Sequence, residues 1–298
     1  MQKTLTNRMG LPEGIVQAVK NDPYNSGASD ISVTRLITPP YQRKLMETVE
    51  QVEDVSDRIW SLLGQATHTI LERAYPVPPG DEQLSLQDFL AKHNFLVEQR
   101  LFMPVVGATG KEWILSGAFD AYERETLFDY KVTSVYAVMG EIKKEWTQQL
   151  NLLRLLAIRH GIEVKQLRII ALLRDWSKMK AKLDRDYPQA QVVPVEIEVW
   201  DTAVAEQYLM DRVTLHQGDD PEPCTAVDRW QRDDVYAVMK EGRKSAVKLH
   251  DNANTANDQR DLLGKGHTVV KRPGDYIRCA NYCAVSHACP HHQGEVAF

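Results

Sequence analysis

The sequence has no excess of basic charge. Lysine and arginine total 36 against 41 aspartates and glutamates, a formal net charge of −5 over 298 residues. That excludes a polybasic, histone-like binder, so any contact with nucleic acid must come from a local patch. No apolar run approaches the roughly 18 residues that a membrane span needs. The first residues, MQKTLTNRMG, lack the apolar stretch of a secretory signal, so a cytoplasmic protein with no membrane partner is expected. Cysteine is scarce, at four residues. In a reducing compartment these are expected to be thiols or metal ligands rather than structural disulfides. There is no G-x-x-x-x-G-K-[ST] phosphate loop, hence no helicase-type motor, and no repeat or low-complexity tract. The remaining composition, 43% hydrophobic and 26% charged, is that of a folded chain long enough for one large domain or two small ones.

Along the chain, residues 1–30 are polar and read as a loose arm. Pro39-Pro40 is expected to break any helix there. Spacings of three and four, or multiples of them, among Val52, Val55, Ile59, Leu62, Leu63 and Ile70 predict a helix from about Leu45 to Arg73, with a break in EDVSDRIW where Ser56 or Asp57 caps the second half. LSLQDFLAKHN is a short amphipathic segment, and FLVEQRLFMPVV a strand ending in the turn Gly107–Gly110. EWILSGAFDAYE and TLFDYKVTS predict two paired strands. Glu141–His160 predicts a helix closed by Gly161, followed by strands in QLRIIALLRDW and AQVVPVEIEVW and a helix over Ala203–Leu215. Helix, three strands, helix, two strands, helix is an α/β order built on a central mixed sheet flanked by helices. The texture then changes: a core over 31–215 gives way to a C-terminal extension over 216–298, polar and partly helical to 265, whose tail carries the cysteines.

The segment SGAFDAYERETLFDYKVTS concentrates the chemistry. Residues i and i+2 of a strand share a face, so Asp129 and Lys131 project together and Tyr130 away from them. A tight turn near Glu123–Thr126 brings Asp120 alongside. Two carboxylates on neighbouring strands form a hard oxygen site suited to Mg²⁺ or Mn²⁺. A lysine beside them can orient or deprotonate a water, or stabilise charge on a phosphate. D-x-K alone is also what a solvent-facing strand carries for solubility.

Its company narrows the reading. Gly64 and His68 form a G-x-x-x-H, Gly117 and Asp120 a G-x-x-D, Asp129-Tyr130-Lys131 a (D/E)-x-K, and Gln149 opens QLNLLRLL on the next helix. In this order the set resembles the PD-(D/E)XK superfamily, specifically its RecB-like exonuclease branch and the phage-encoded members of it. The resemblance covers roughly residues 31–215 and implies a restriction-endonuclease-like core and a Mg²⁺- or Mn²⁺-dependent deoxyribonuclease. It implies that His68, Asp120 and Asp129 hold the metal, that Lys131 is the catalytic lysine, and that Gln149 touches DNA or the lysine. Glu98 is an accessory acid. Leu153 stands where the family often has tyrosine after the glutamine. Gln148 rivals Gln149, which is favoured because Leu150, Leu153 and Ala157 would share a buried stripe near it. The implied partners are DNA and a recombination or single-strand-binding protein, with exonuclease action on DNA ends in phage recombination or replication.

In the tail, RCANYCAVSHACPHH spaces Cys279, Cys283 and Cys289 as C-x3-C-x5-C, and Cys224 lies far upstream. Four thiols fit a soft-metal site that clips the tail onto the core. RecB-like relatives hold a 4Fe–4S cluster through a similar trio, spaced C-x2-C-x5-C, with their fourth cysteine before the nuclease motifs. Zinc, with His287, His291 or His292 as substitutes, is the other reading. For DNA binding, Arg174, Lys178, Lys180, Lys182 and Arg185 surround Trp176 in LLRDWSKMKAKLDRD; basic groups neutralise phosphates and an exposed indole stacks on an unpaired base. Lys143-Lys144 and Arg243, Lys244 and Lys248 are further patches. The rival functions are a nuclease fold used only to bind DNA or protein, and an iron- or redox-responsive protein.

Overall fold

The computed structural model describes residues 3–22 and 27–293. Residues 1–2 and 23–26 of the expected arm and residues 294–298 of the expected extension lie outside the described residues. In chain order the elements are β1 (Lys3–Thr6), α1 (Glu13–Lys20), β2 (Ile31–Ser32), α2 (Val33–Leu36), α3 (Pro40–Thr48), β3 (Gln51–Asp54), α4 (Ile59–Glu72), α5 (Leu86–His93), β4 (Phe95–Val106), β5 (Glu112–Glu123), β6 (Thr126–Thr133), α6 (Lys144–Arg159), β7 (Gln166–Leu173), α7 (Lys178–Leu183), β8 (Val192–Ile197), α8 (Thr202–Gln217), β9 (Val235–Lys240), β10 (Lys248–His250), α9 (Ala253–Leu263), β11 (His267–Arg272), α10 (Ile277–Asn281) and α11 (Pro290–Gln293). They divide into two units, one of Lys3–Pro40 and Val52–Pro221, the other of Tyr41–Gln51 with the chain from Glu222 onward.

The larger unit is a mixed α/β structure on a central sheet ordered β2-β5-β6-β7-β8, with β4 on the free edge of β5. β4–β5, β5–β6 and β7–β8 are antiparallel; β2–β5 and β6–β7 are parallel. The alternating β5 and β6 meet in a two-residue turn in which Arg124 and Glu125 both take positive φ, 49° and 62°. That handedness matches the twist of the flanking strands, and Glu125 O accepts the Lys165 and Gln166 amides at 2.8 and 3.2 Å. A parallel step from β6 to β7 needs a crossover, and α6 supplies it. Leu150, Leu152, Leu153, Leu155, Leu156 and Ala157 bury against the sheet, and Gly161 closes the helix at φ 76°. Buried Asn151 pins α6: it donates to Thr147 O and Glu198 O, both at 2.9 Å, and accepts from Trp200 N at 2.8 Å. The core gathers Phe119, Leu115, Leu127, Ile169 and the α6 leucines.

β5 is the strand that makes a site possible. One edge pairs with β4 over nearly its whole length. The other edge is shared, β6 taking residues 121–123 and β2 taking 115–116. Between them, 117–120 has no strand partner on that edge, and the sheet opens there. Gly117 lets α6 close over the gap: a Cβ at 117 would lie 2.5 Å from Leu153 Cδ2 and 2.7 Å from Leu156 Cδ1.

Several expectations are corrected. The break in the helix expected over 45–73 is wider than expected: β3 and a 3₁₀ turn at Val55–Arg58 separate α3 from α4. Neither Ser56 nor Asp57 caps α4, which starts after Arg58 with no side-chain cap; Asp54 caps the 3₁₀ turn, its carboxylate accepting from Thr6 Oγ1 (2.6 Å), Arg8 N (2.9 Å), Ser56 N (3.1 Å) and Ser56 Oγ (2.6 Å). Those donors hold the carboxyl well below its usual range. β1 pairs with β3, and α1 follows it, so the described part of the arm is structured. Pro40 begins α3 rather than preventing it, since the first helical position needs no amide donor.

The smaller unit holds a three-stranded antiparallel sheet, β10-β9-β11, against which α9 packs Ala256, with Ala237 and Val238 of β9 fully buried. These strands were not predicted. Each is short, and charged residues interrupt the alternation in KLH and HTVVKR.

Candidate active site

Three acids stand in one row across three strands. The pairs Val97↔Ala121 and Gln99↔Phe119 place Glu98 of β4 opposite Asp120 of β5. The pair Ala121↔Phe128, carried one step on, places Asp120 opposite Asp129 of β6. At this row both ladders are disturbed. Glu98 takes φ 46°, a region that costs an ordinary residue energy and turns up at functional positions. Asp120 fills the splay between β5 and β6, its Oδ2 accepting the Tyr130 amide.

His68 of α4 completes the group from above, with Nδ1 3.2 Å from Glu98 Oε1 and 3.4 Å from Asp120 Oδ1. Among the described residues, His68, Glu98 and Asp120 are the one trio of His, Cys, Asp and Glu whose donor atoms gather within 4.8 Å. The structure therefore moves Glu98 from an accessory place into the cluster. It places Asp129 beside the cluster rather than in it, because Asp129 is engaged elsewhere: Gln149 Nε2 donates to Oδ1 at 2.9 Å, and Lys131 Nζ lies 2.6 Å from Oδ2. That ion pair takes up the buried Oδ2. Tyr130 does not turn away from the group: its ring lies edge-on to His68, centroids 6.2 Å apart.

The electrostatics follow from crowding acids in a buried place. Burial, and then the charge of Asp129, push Asp120 up to about 7, against the opposing pull of His68, Lys131 and the Tyr130 amide. The hydrogen bond to Glu98 holds His68 above its ordinary value, with help from the neighbouring carboxylates and against burial. Burial alone would draw Lys131 down; Asp129 and Asp120 outweigh it and hold the ammonium above its ordinary value. Excess negative charge, and two carboxylates with one imidazole converging, together fit a hard divalent cation such as Mg²⁺ or Mn²⁺.

The group opens into a cavity of about 780 Å³ lined also by Arg58, Ser61, Gln65, Thr69 and Arg100. Ser61, Gly64, Gln65, His68 and Glu72 face it from α4 at helical spacing, a polar stripe that was open to reading in the sequence but was passed over in favour of the apolar one. A Cβ at Gly64 would meet nothing within 4 Å, so this glycine leaves room in the cavity rather than permitting a close approach. Of the two rival glutamines, Gln149 is the one that reaches Asp129, and Leu150, Leu153 and Ala157 are buried beside it.

Of the residues expected at DNA, Trp176 is corrected. Its indole donates to Pro188 O at 2.7 Å and its ring packs on the core. Lys178, Lys180 and Lys182 are exposed on α7, and none of them lines the cavity. Arg174 is exposed, its guanidinium 4.4 Å above the ring of Trp60. In the smaller unit Arg243, Lys244 and Lys248 are exposed.

Cys224, Cys279, Cys283 and Cys289 are all free and partly buried. They come into one neighbourhood: burial pushes Cys224 up to about 11, and after Asp228 the other three cysteines add to it. Burial likewise raises Cys283, with Cys279 and Cys289 contributing. No three of the thiols, alone or with the tail histidines, gather within 4.8 Å among the described residues. A tetrahedral zinc site holds its sulfurs about 3.8 Å apart, from a Zn–S bond of ~2.3 Å. His292 Nδ1 is buried without a hydrogen-bond partner.

No family model matches the chain, and no curated protein matches it. Among solved structures, one described as "Crystal structure of SSO0001" is 15% identical, with a TM-score of 0.44, over 72% of this chain and 89% of the other. No helix of the described residues is long and apolar enough to cross a membrane.

Proposed function

We propose that the chain is a metal-dependent deoxyribonuclease of the PD-(D/E)XK type, hydrolysing phosphodiester bonds from DNA ends, with a role in phage recombination or replication. The observation that carries this is the row Glu98–Asp120–Asp129 at one register of three strands, with His68 over it and Lys131 paired to Asp129. Glu98, Asp120 and His68 would hold Mg²⁺ or Mn²⁺. The bound metal would supply Lewis-acid polarisation of the phosphate and a more acidic water. Asp120 must be ionised and His68 neutral to serve as ligands. Lys131 keeps its charge at neutral pH and stands where it orients the attacking water and balances negative charge growing on phosphorus. Gln149 fixes the Asp129 carboxylate, and with it the lysine. The polar stripe of α4 and the guanidinium of Arg100 give the strand a wall of donors.

The four thiols share a neighbourhood in the smaller unit and are read as a 4Fe–4S site, with zinc as the other reading. This site is structural, because thiolates select soft metals while phosphate hydrolysis uses an open oxygen site.

The test is degradation of end-labelled linear DNA and of closed circular DNA with Mg²⁺, wild type beside a folded Lys131→Ala. Loss of linear DNA only, abolished by the substitution, is expected. Loss of both forms would remove the end-dependence. No cleavage with Mg²⁺ or Mn²⁺ would leave a binding module, and equal cleavage by both proteins would place the activity elsewhere.

A further inference from the structure

Trp60 stands second in α4, between the cavity-lining Arg58 and Ser61, yet is itself 53% exposed. The Arg174 guanidinium lies 4.4 Å over its ring. Arg174 is fixed there by its backbone, whose amide donates to Thr133 O at 2.9 Å. Thr133 follows Lys131 by two residues on β6, about 7 Å at the rise of an extended strand. The next loop is tied to the same place by Val135 N donating to Asp175 Oδ1 at 2.7 Å. From that loop comes Tyr136, 83% exposed. An exposed indole with a planar cation on it thus follows the cavity-lining Arg58 in sequence, and its cation is tied to the strand that carries Lys131.

We propose that Trp60 and Arg174 form a platform for an unpaired base and its phosphate, so that the end engaged by the site is single-stranded DNA. This rests on the nuclease reading. An aromatic face binds any base by stacking without reading its sequence, and a neighbouring cation takes the phosphate. A base stacked on Trp60 exchanges exposed apolar surface for a partner, with the Arg174 guanidinium beside it for the phosphate. A paired base offers no free face, which is why the platform selects an unpaired one. Trp176, the indole nearest to this loop in sequence, is unavailable because it is held by Pro188.

The experiment measures binding in EDTA, where no cleavage occurs, to a fluorescein-labelled single strand and to a blunt duplex of the same sequence. Wild type runs beside Trp60→Ala, Trp60→Phe and Arg174→Ala, each checked for fold by circular dichroism. Trp60→Ala is expected to weaken single-strand binding about tenfold, within the range of one base–aromatic stack, and to leave duplex binding unchanged. Trp60→Phe retains most of the affinity, and Arg174→Ala lowers both affinity and its salt dependence. Unchanged single-strand affinity in folded Trp60→Ala overturns the platform, as does an equal loss for duplex. Cleavage with Mg²⁺ is read on the same proteins. If wild type cleaves and Trp60→Ala binds normally, the platform alone falls. If wild type binds through Trp60 but never cleaves, the nuclease reading falls and the binding site stands.

Discussion

Placing one methyl group at Gly117 tests the seating of α6 on the open part of the sheet. In Gly117→Ala the new Cβ would lie 2.5 Å from Leu153 Cδ2, 2.7 Å from Leu156 Cδ1 and 3.0 Å from Val33 Cγ2. Carbon atoms in contact sit about 3.5–4.0 Å apart, so α6 must lift or both leucines must leave their rotamers. All three neighbours are side-chain atoms, which allows partial relief. The cost is that of overpacking, about 1–3 kcal/mol, set against ~0.4–1 kcal/mol that alanine returns by restricting the unfolded chain. A melting temperature lower by several degrees is expected, at about 2–4 °C per kcal/mol for a unit of this size. The clash also has a named partner. Leu153 is nearly fully buried, and Leu153→Ala alone should cost about 2–5 kcal/mol by leaving a cavity. In the double variant the added methyl stands where Leu153 Cδ2 was, so the double is expected to be more stable than the sum of the singles by about 0.5–3 kcal/mol. Urea denaturation of the four proteins measures this. Costs that add within ~0.5 kcal/mol would refute the close approach, and with it the placement that carries Gln149, one turn before Leu153, to Asp129.

Other outcomes follow from the charges and the thiols. Asp120 has its folded value raised from 3.8 to about 7, so the fold favours its protonated form. In EDTA, the Asp120 contribution to stability is therefore greatest below about pH 4, falls as pH rises toward 7, and is level above; the loss is on the order of a few kcal/mol at ~1.4 per unit, and Asp120→Asn should flatten the profile between pH 4 and 7. Added Mn²⁺ should restore stability on the alkaline side, and a flat wild-type profile in EDTA would sink this account of the site. Asp54 has the opposite sign: its lowered value gives stability above about 3.8 that is lost as pH falls below it. The melting-temperature gap between wild type and Asp54→Asn should therefore close in acid, and a gap independent of pH would refute the role of its four donors. Protein purified without oxygen should contain iron and acid-labile sulfide in equal amounts, and Cys224→Ser should lose both; one zinc per chain instead would decide for the other reading.

How far the sequence could be read depended on the distance over which each feature is determined. Asp129 and Lys131 share a face because a strand alternates every residue, a local property, and their ion pair is present at 2.6 Å. Gln149 was separable from Gln148 because the buried stripe of Leu150, Leu153 and Ala157 fixes the phase of α6. The β4, β5, β6, α6, β7, β8 order followed from the same short periods, bounded by turns and by Gly161. The break in the helix over 45–73 was wider than the sequence suggested, because Val52 and Val55 fit a period of three while belonging to a strand and a 3₁₀ turn. What decides their state is Asp54 meeting Thr6 and Arg8, a contact across nearly fifty positions that no local window contains.

The same distinction explains which site residues escaped. Glu98 becomes a candidate ligand only once the β4–β5 register is known and once its backbone takes φ 46°. In the sequence it is one acid in an otherwise apolar strand. The two tryptophans make the point most sharply. Trp176 has the better local credentials, being set among five cations, yet the carbonyl of Pro188 and the edge of the core claim its indole. Trp60 lies in an apolar helical pattern that suggests burial, yet α4 turns its polar stripe to the cavity and leaves Trp60 in solvent. A cavity that must stay wet and charged reverses the usual orientation of an amphipathic helix. Where the face of a helix that carries a motif such as Gly64 and His68 is polar and its apolar residues are exposed, the inversion is itself the mark that the helix covers a site rather than a core.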